Sequence, residues 1–413
     1  MGPKTRSRRS ARCTRAASAE NMPPGCPACP PAMTLSAPMA EQDWGAIAAQ
    51  WLARLAACSE PGPGVTRLPF TPEHRAALDL LAEFMAGAGL AVRLDAAGTL
   101  IGRQEGPAGA PALLMGSHQD SVREGGAYDG IMGVVLPVLA LMKLRAEGVA
   151  LPFAVEVLAF ADEEGVRFPT ALMGPRALAG TFEMAALDLC DEAGTSLRAA
   201  MEGFGLAPAR PCRGCGAIRP MCWAGLRCTW SRARCLHKPA GRWAPLPRFA
   251  GSSGSRCALW GRPPMPAPAP MALRKDALAG AAELVLAAER CAAETPGLMA
   301  TIGALRVRPG VVNAVPGEVA LSLEIRAPCD ATREEAGRAL AETAARIAAR
   351  RGLGLEMARS YAQPATPCAP QMIAALTKAA ASAGHGAPAL ASGATHDSSA
   401  MAALCPVGML FTA

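Results

Sequence analysis

The chain has 413 residues, of which 51% are hydrophobic and 18% charged, and its formal net charge is +7. This composition is typical of a globular protein with about two or three domains. The positive charge is concentrated in two segments: residues 1–40 carry six basic residues and one acidic residue, and residues 211–262 carry ten basic residues and no acidic one. Neither segment has an aromatic stacking pattern or a nucleic-acid-binding motif, so we predict no nucleic-acid partner.

The hydropathy pattern also bears on membranes and on the cellular compartment. The longest apolar run, residues 131–142, is too short to cross a bilayer, and Lys143 and Arg145 follow it. We therefore predict no membrane association. The chain has fifteen cysteines but no secretory hydrophobic segment at its N-terminus. A reducing, cytoplasmic location is the simpler expectation.

The first forty residues differ from the rest. Residues 1–40 are rich in Arg, Ser, Pro and Ala and show no apolar period. We expect either a disordered, transit-like extension or a start codon assigned too early, with Met33 or Met39 as the first residue. The folded part is expected to begin at residue 41.

Helices and strands then alternate along the chain. Apolar residues at helical spacing predict helices over 44–57, 72–86 and 130–147, the second with Thr71 as its N-cap and Pro72 at its first position. Apolar runs bounded by turn residues predict strands over 90–94, 99–103, 112–116 and 153–160. This order predicts a mostly parallel sheet, with functional loops beyond the carboxyl ends of its strands.

The same patterns resume after Asp276. Helices are predicted over 276–295, 332–351 and 370–383. Strands of a smaller sheet are predicted over 298–307 and 319–326, joined through residues 309–317.

Side chains suited to metal chemistry follow two of the predicted strands. His118 can bind a metal ion while Asp120, two residues on, orients it from outside the coordination sphere. Asp129 lies in a Tyr-Asp-Gly turn, from which one carboxylate could bridge two cations. Glu163 and Glu164 are adjacent, so on an extended segment one can bind metal while the other acts as general base. Each motif alone is typical of a solvated loop, but their order at strand ends predicts a metal-dependent hydrolase.

These motifs resemble those of a known family. GSHQDSV at 116–122, GGAYDGIMGV at 125–134 and FADEEGVRFP at 160–169 resemble the binuclear metallo-amidohydrolases that include N-carbamoyl-L-amino-acid hydrolase and allantoate amidohydrolase, within the aminoacylase and metallo-exopeptidase clan. Further similar runs are GPRALAG at 174–180, PMALRKDA at 270–277, VNAVPG at 312–317, EIR at 324–326 and SGATHD at 392–397. The resemblance covers about residues 41–210 and 270–413.

The resemblance implies a role for each motif residue. His118, Asp129 and Glu164 would bind two divalent ions per subunit (Zn, Mn, Co or Ni), with Asp129 bridging them and Glu163 as general base.

The substrate implied by the resemblance is a small ureido compound with a carboxylate. Asn313 and Arg326, on the smaller lid-like domain, would hold that carboxylate, since the planar fork of arginine suits it. His396 would shape the pocket rather than bind metal.

We therefore expect an α/β fold with a mostly parallel-sheet catalytic domain at 41–238 and 329–413. A smaller α+β lid domain at 239–328 would interrupt it, and the resemblance implies homodimerisation through this lid. The last part, 329–413, is expected to be truncated.

Two histidines that the family uses as metal ligands have no counterpart. One belongs to a His-Ile-Glu-Gln-Gly-Pro type motif about 65 residues after the glutamate pair, and the other to a Ser-His-x-Pro type motif near the C-terminus. The five histidines present (74, 118, 237, 385 and 396) lie in neither motif. A pocket histidine expected just before Pro270 is also absent.

A shifted reading frame accounts for two of these absences. Residues 228–236 can be written in codons that, read two bases later, give His-Val-Glu-Gln-Gly-Pro-Val-Leu. Residues 259–268, treated in the same way, give Val-Gly-Glu-Ala-Ala-His-Ala-Gly-Thr. We interpret 211–269 as translated out of frame, through a sequencing error or a genuine lesion, and expect this segment to pack poorly.

The predicted reaction is metal-dependent hydrolysis of a C–N bond in N-carbamoyl amino acids, allantoate or similar ureides, impaired in this copy. An aminoacylase or aminopeptidase is the alternative within hydrolases, and a catalytically dead frameshifted product is the alternative outside them. The identity of the ureide and of the metal is left open.

Overall fold

Two large β-sheets, each covered by helices, make up most of the described part of the chain, and two further sheets have two strands each. The structure is a computed structural model that describes residues 42–208, 220–227, 243–261, 265–266, 269–385 and 392–412. The expectations for residues 1–40, and the reinterpreted motif at 228–236, lie outside these ranges.

Six helices of the described residues begin and end close to the predicted positions, and three short ones, the fourth, fifth and ninth in chain order, were not predicted. In chain order the α-helices are α1 (Trp44–Ala56), α2 (Pro72–Gly87), α3 (Met132–Ala146), α4 (Met173–Ala179), α5 (Leu197–Gly203), α6 (Ala277–Glu294), α7 (Asp330–Arg351), α8 (Pro370–Ser382) and α9 (Asp397–Met401). Short 3-10 helices cover Met184–Asp188 and Met271–Leu273. Within the described ranges, none of the helices combines the length and apolarity that a membrane span requires.

The strands follow the same order. They are β1 (Ala91–Leu94), β2 (Leu100–Gln104), β3 (Ala112–His118), β4 (Ala154–Phe160), β5 (Pro220–Arg227), β6 (Trp243–Pro245), β7 (Arg248–Phe249), β8 (Gly251–Trp260), β9 (Met265–Pro266), β10 (Met299–Thr301), β11 (Leu305–Arg308), β12 (Ala314–Val315), β13 (Glu318–Ala327), β14 (Gly354–Gln363), β15 (Thr366–Pro367) and β16 (Val407–Thr412). The one strand predicted over 298–307 is therefore two, β10 and β11.

The N-terminal cap of α2 is the one that the sequence predicts. The Thr71 hydroxyl accepts a hydrogen bond from the backbone N–H of His74, and Pro72 occupies the first turn. The first helical turn leaves several N–H groups without a partner. The Thr71 hydroxyl binds one of them, and Pro72 has no N–H group that would need a partner.

The first sheet has seven strands in the order β1-β2-β4-β3-β5-β16-β6. Its centre, from β4 to β16, is parallel, but β1, β2 and β6 pair antiparallel with their neighbours. The expected mostly parallel sheet is thus a mixed sheet. The reason at one edge is a tight turn between β1 and β2, in which the Asp95 side chain accepts hydrogen bonds from the backbone of Ala97 and Thr99. So short a connection can join only antiparallel strands.

Helices cover both faces of this sheet. Strand β4 is buried at every position, and its residues alternate between two apolar clusters, as the two-residue period of a strand requires. Val155 and Val157 join the cluster formed with α1, α2 and α3. Leu158 and Phe160 join the cluster on the other face, with residues of α4 and α9. A strand buried on both faces holds its carboxyl end rigidly, and that end carries the site described below.

The second sheet is antiparallel, in the order β10-β13-β8-β14 with β11 also on β13. Helices α6 and α7 pack on it through Leu284, Leu340 and Ile347. This layer runs from β8 to β14 and therefore does not coincide with the expected lid at 239–328. Strand β6 belongs to the first sheet, while α7 and β14 belong to the second because their apolar side chains share its core.

The expectation that segment 211–269 packs poorly is wrong for residues 243–261. Strand β8 lies between β13 and β14 and pairs with both along nearly its whole length. Ala244, Leu246, Phe249, Cys257 and Leu259 are buried. A central strand has backbone hydrogen bonds on both sides, so tertiary pairing outweighs the weak strand preference of its small residues.

Candidate metal centre

The site begins where two parallel strands end side by side. His118 at the end of β3 is in register with Phe160 at the end of β4. One residue further, the backbone N–H of Gln119 donates to the Phe160 carbonyl at 3.0 Å. The loops that follow β3 and β4 therefore leave the same edge of the sheet next to each other, as is usual for sites in open α/β sheets.

These loops bring three of the predicted residues together. One donor atom each of His118, Asp129 and Glu164 lies within 4.8 Å of the others. His118 Nε2 and Asp129 Oδ1 are 3.9 Å apart. His118 is fully buried, whereas the Asp129 side chain is a third exposed and Glu164 is partly exposed. The cluster is thus accessible from the side of its two carboxylates.

The ring orientation of His118 is set by a main-chain contact. Its Nδ1 atom lies 2.8 Å from the carbonyl oxygen of Asp120. A carbonyl oxygen can only accept, so Nδ1 carries the proton and donates. In the neutral ring, Nε2 is then the nitrogen with the lone pair, and it is the nitrogen nearest Asp129. This is the tautomer that a metal ligand needs.

The imidazole of His118 also lies against a glycine. Gly130 has a φ of +67°, and a Cβ atom there would lie 2.5 Å from His118 Cε1 and Nδ1. Only glycine allows both the left-handed backbone and this close approach. The Tyr-Asp-Gly turn therefore places the Asp129 carboxylate beside the ring because its third residue has no side chain.

The Asp120 carboxylate contacts the loop after β4 more closely than it contacts His118. Its Oδ1 accepts a hydrogen bond from the Glu163 N–H at 3.0 Å, and its Oδ2 accepts one from the Glu164 N–H at 3.1 Å. The contact from its carboxylate to His118 Nδ1 is longer, at 3.8 Å. The predicted orientation of His118 is thus made by the Asp120 main chain, while its buried carboxylate holds the glutamate pair.

The glutamate loop is further held by its own backbone. The carbonyl groups of Asp162 and Glu163 accept hydrogen bonds from Met173 and Leu172, at 2.9 and 3.0 Å. Asp162 has a φ of +54°, which few non-glycine residues adopt. Burial and the negative charge of Asp120 raise the pKa of the Asp162 carboxyl well above its usual value. The two glutamates are therefore presented on a tightly constrained turn.

The predicted carboxylate-binding residues lie on the second sheet. Arg326 on β13 donates from Nε to Glu324 Oε1 at 2.6 Å and from a terminal nitrogen to the Gly393 carbonyl at 3.3 Å. The second contact joins the second sheet to the segment before α9. Asn313 is exposed, in the connection between β11 and β12.

His396 is buried and has two hydrogen-bonded contacts of its own. Its Nε2 lies 2.8 Å from the Ser392 hydroxyl, and its side chain caps the backbone of Ser399 at the start of α9. Its ring meets Phe249 and Phe411 edge to face. These contacts suit a residue that shapes its surroundings.

Sequence reasoning missed one buried residue beside the metal cluster. Arg67 donates to the carbonyl group of Gln119, which lies between His118 and Asp120 after β3. An isolated arginine between Thr66 and Leu68 gives no sequence signal, because only the fold brings it to this loop.

The chain is similar to proteins of a known family. Residues 114–413 match the peptidase family M20/M25/M40. The chain is 37% identical to an N-carbamoyl-L-amino acid amidohydrolase of Geobacillus stearothermophilus, over 85% of this chain and 86% of the relative. It is 30% identical to an allantoate deiminase of Arabidopsis thaliana, over 87% and 74%.

Two solved structures are similar to this chain in fold. An amidase of the hydantoinase/carbamoylase family from Burkholderia multivorans superimposes with a TM-score of 0.81 at 29% identity, covering 89% of each chain. A dinuclear metal-binding M20 peptidase of Bacillus subtilis, at 13% identity and a TM-score of 0.56, shares the fold. The chain therefore belongs to the peptidase family M20/M25/M40, in the group that contains the N-carbamoyl-L-amino-acid amidohydrolases and the allantoate deiminases.

Proposed function

We propose that this chain is a metallo-amidohydrolase that cleaves a C–N bond in the ureido or carbamoyl group of a small carboxylate-bearing substrate. The observation that supports this most directly is the cluster of His118, Asp129 and Glu164 at the ends of two parallel strands. An imidazole and two carboxylates are a donor set typical of hydrolytic divalent ions.

The spacing of the donor atoms fits one shared ion. Ligand distances of about 2.0–2.2 Å allow two donors of one ion to lie up to roughly 4.3 Å apart. The 3.9 Å between His118 Nε2 and Asp129 Oδ1 falls within this limit. The widest pair, within 4.8 Å, would need a side-chain adjustment of about half an ångström. Asp129, with two carboxylate oxygens, would bridge to a second ion.

Divalent ions bound there (Zn, Mn, Co or Ni) would polarise the substrate carbonyl and lower the pKa of the attacking water. Glu163 would take up the proton of that water and deliver it to the leaving nitrogen. Asp120 would keep Glu163 in place through the hydrogen bond to its backbone.

Substrate binding would draw on the second sheet. Arg326 and Asn313 would hold the carboxylate, and His396 would shape the pocket. Glu324 already occupies one edge of the Arg326 guanidinium, so a substrate carboxylate would approach its remaining donors.

We also propose that the second sheet and its helices act as the lid domain, and that the chain forms a homodimer through this domain. Most of the exposed large apolar side chains in the described residues lie between 260 and 361, among them Leu286 on α6 and the adjacent Val311 and Val312. We take these side chains to form one contiguous apolar patch, the kind of surface that marks a protein interface. Leu286→Arg should shift the elution volume toward that of a monomer, whereas Leu94→Arg, on the first sheet, should not.

We propose a cytoplasmic location because cysteines of this chain are present as thiols. Five cysteines of the described ranges are free thiols: Cys190, Cys257, Cys291, Cys329 and Cys368. Free thiols of this kind are typical of a reducing compartment.

We propose that this copy is impaired, because the histidine motif expected within 211–269 is absent. The test is to measure bound metal and ammonia release for the chain as it stands and for a chain with the frame of 211–269 restored. Substrates should include an N-carbamoyl-L-amino acid, allantoate, an N-acetyl amino acid and a dipeptide. Turnover of the first two supports the proposal. Turnover of only the last two would instead favour an aminoacylase or aminopeptidase, and no metal in either chain would favour a dead product.

A further inference from the structure

We infer that Arg67 is a positioning residue for the candidate metal centre. Its buried side chain ties the loop after β3 to helix α1 and, through Asp120, holds the Glu163–Glu164 turn in place. This inference deepens the proposed function and rests on it for the identity of the ligands.

The guanidinium joins three carbonyl groups from two parts of the chain. Nε donates to Gln119 O at 2.6 Å, and one terminal nitrogen donates to Leu55 O at 2.8 Å and Cys58 O at 3.1 Å. Leu55 lies in the last turn of α1, whose carbonyl groups have no partner within the helix. Arg67 is only 2% exposed. The Leu55 carbonyl also accepts from the Cys58 N–H at 3.1 Å, so the side chain adds a second donor there and fastens the residue between His118 and Asp120 to the helix.

The backbone of Arg67 adds a second attachment. Its N–H donates to the Ser121 hydroxyl at 2.9 Å, and its carbonyl accepts from the Ser121 N–H at 3.1 Å. Nearby, Val65 and Gly125 exchange two backbone hydrogen bonds, at 2.8 and 2.9 Å. Residues 65–67 therefore run beside residues 119–125 and are hydrogen-bonded to the loop that contains Asp120.

Charge gives the arginine a role that a neutral clamp would not have. The Asp120 carboxylate is almost fully buried and accepts from two backbone N–H groups. A buried carboxylate is costly unless an opposite charge or several donors compensate it. Burial lowers the pKa of Arg67, and the charges of Cys58 and Asp120 oppose this shift. The buried guanidinium is thus attracted to Asp120 by its opposite charge, which adds to the hydrogen bonds that hold this loop.

The experiment compares Arg67→Met, Arg67→Lys and a control, Arg333→Met, in the full chain. Arg333 on α7 is also buried, at 3% exposure, and pairs with Asp330 in the second sheet's layer. The first measurement is hydrogen exchange of the Glu163 and Glu164 amides without metal. Arg67→Met should speed it about tenfold, through loss of a charge-supported hydrogen-bond network, and the control should leave it unchanged. The lysine variant, which keeps the charge, should lie between wild type and Arg67→Met.

The second measurement is Co²⁺ titration followed by visible absorption, which reports ligand geometry. In the frame-restored chain, Arg67→Met should weaken Co²⁺ binding about 10-fold, the lower end of the effect of removing a direct partner of a metal ligand, because Arg67 contacts the neighbouring Gln119 and not a ligand itself. Unchanged exchange of the two amides in Arg67→Met, or equal changes in Arg333→Met, would overturn the inference and leave Arg67 a structural clamp. If lysine behaves like methionine, the part assigned to charge is wrong. Failure of the frame-restored chain to bind Co²⁺ would reject the proposed metal site, while amide exchange would still decide the role of Arg67.

Discussion

His118 Nδ1 lies 2.8 Å from the main-chain oxygen of Asp120, and the carboxylate of the same aspartate accepts hydrogen bonds from the backbone N–H groups of Glu163 and Glu164. One residue thus orients the histidine through its main chain and the glutamate pair through its side chain. The two loops are therefore coupled, and a change in either should be felt at the other.

The first prediction concerns the glutamate pair. In a chain with the frame of 211–269 restored, Glu163→Gln should keep its metal and lose about 10²–10⁴-fold in turnover, because the amide cannot accept the proton. Glu164→Gln should instead lose metal, since a ligand is removed. Metal analysis and initial rates check both variants. A near-normal rate for Glu163→Gln would reject its role as base.

The second prediction uses the glycine beside His118. Gly130→Ala places a methyl group 2.5 Å from the imidazole on a backbone with a φ of +67°. We expect a loss of about 1 kcal/mol or more in unfolding free energy and weaker Co²⁺ binding. Gly126→Ala is the matched control, because a Cβ atom there has no other atom within 4 Å. Equal effects of the two substitutions would contradict the explanation.

The third prediction concerns the substrate's carboxylate. Arg326→Lys, in the frame-restored chain, should raise the KM for N-carbamoyl amino acids, since an ammonium group cannot reproduce the bidentate fork. The KM for an N-carbamoyl amine without a carboxylate should stay the same. An unchanged KM for both substrates would point to another anchor.

The fourth prediction is a pH dependence of stability. Burial, with the nearby charges of Arg67 and Arg75, lowers the pKa of His74 from 6.5 to about 3. Between these values the unfolded chain binds a proton that the folded chain does not. The contribution of His74 is therefore complete above pH 6.5 and declines as the pH falls toward 3. From pH 7 to 5 the wild type should lose roughly 2 kcal/mol more than His74→Gln. Denaturant unfolding at both pH values checks this, and identical losses would show that His74 does not titrate as described.

The fifth prediction concerns the chain as it stands. It should bind divalent metal weakly and release no ammonia from N-carbamoyl amino acids, because the histidine expected within 211–269 is absent. Restoring the frame of that segment, and extending the C-terminus to add a Ser-His-x-Pro type motif, should raise metal content, toward the about two ions of a binuclear site, and activity together. An ordinary rate from the unaltered chain would reject the shifted-frame interpretation.

Local patterns were sufficient for most of the helices and strands and for singling out three residues that the structure brings together. The cap at Thr71, the apolar run of β4 and the ordered motifs around His118, Asp129 and Glu164 depend on near neighbours, and the structure forms them where expected. Family membership followed from the same motifs and is confirmed.

Long-range pairing decided the rest. Strand β8 has a weak pattern of small residues, yet it becomes central because β13 and β14 bond to both of its edges. The mixed direction of the first sheet and the extent of the second depend on which strands meet, and sequence spacing does not record this. Arg67 lies more than fifty residues from the loop that it fastens. The sequence alone does not show its role, because that role depends on the carbonyl groups and the carboxylate that the tertiary structure brings close to the buried cation.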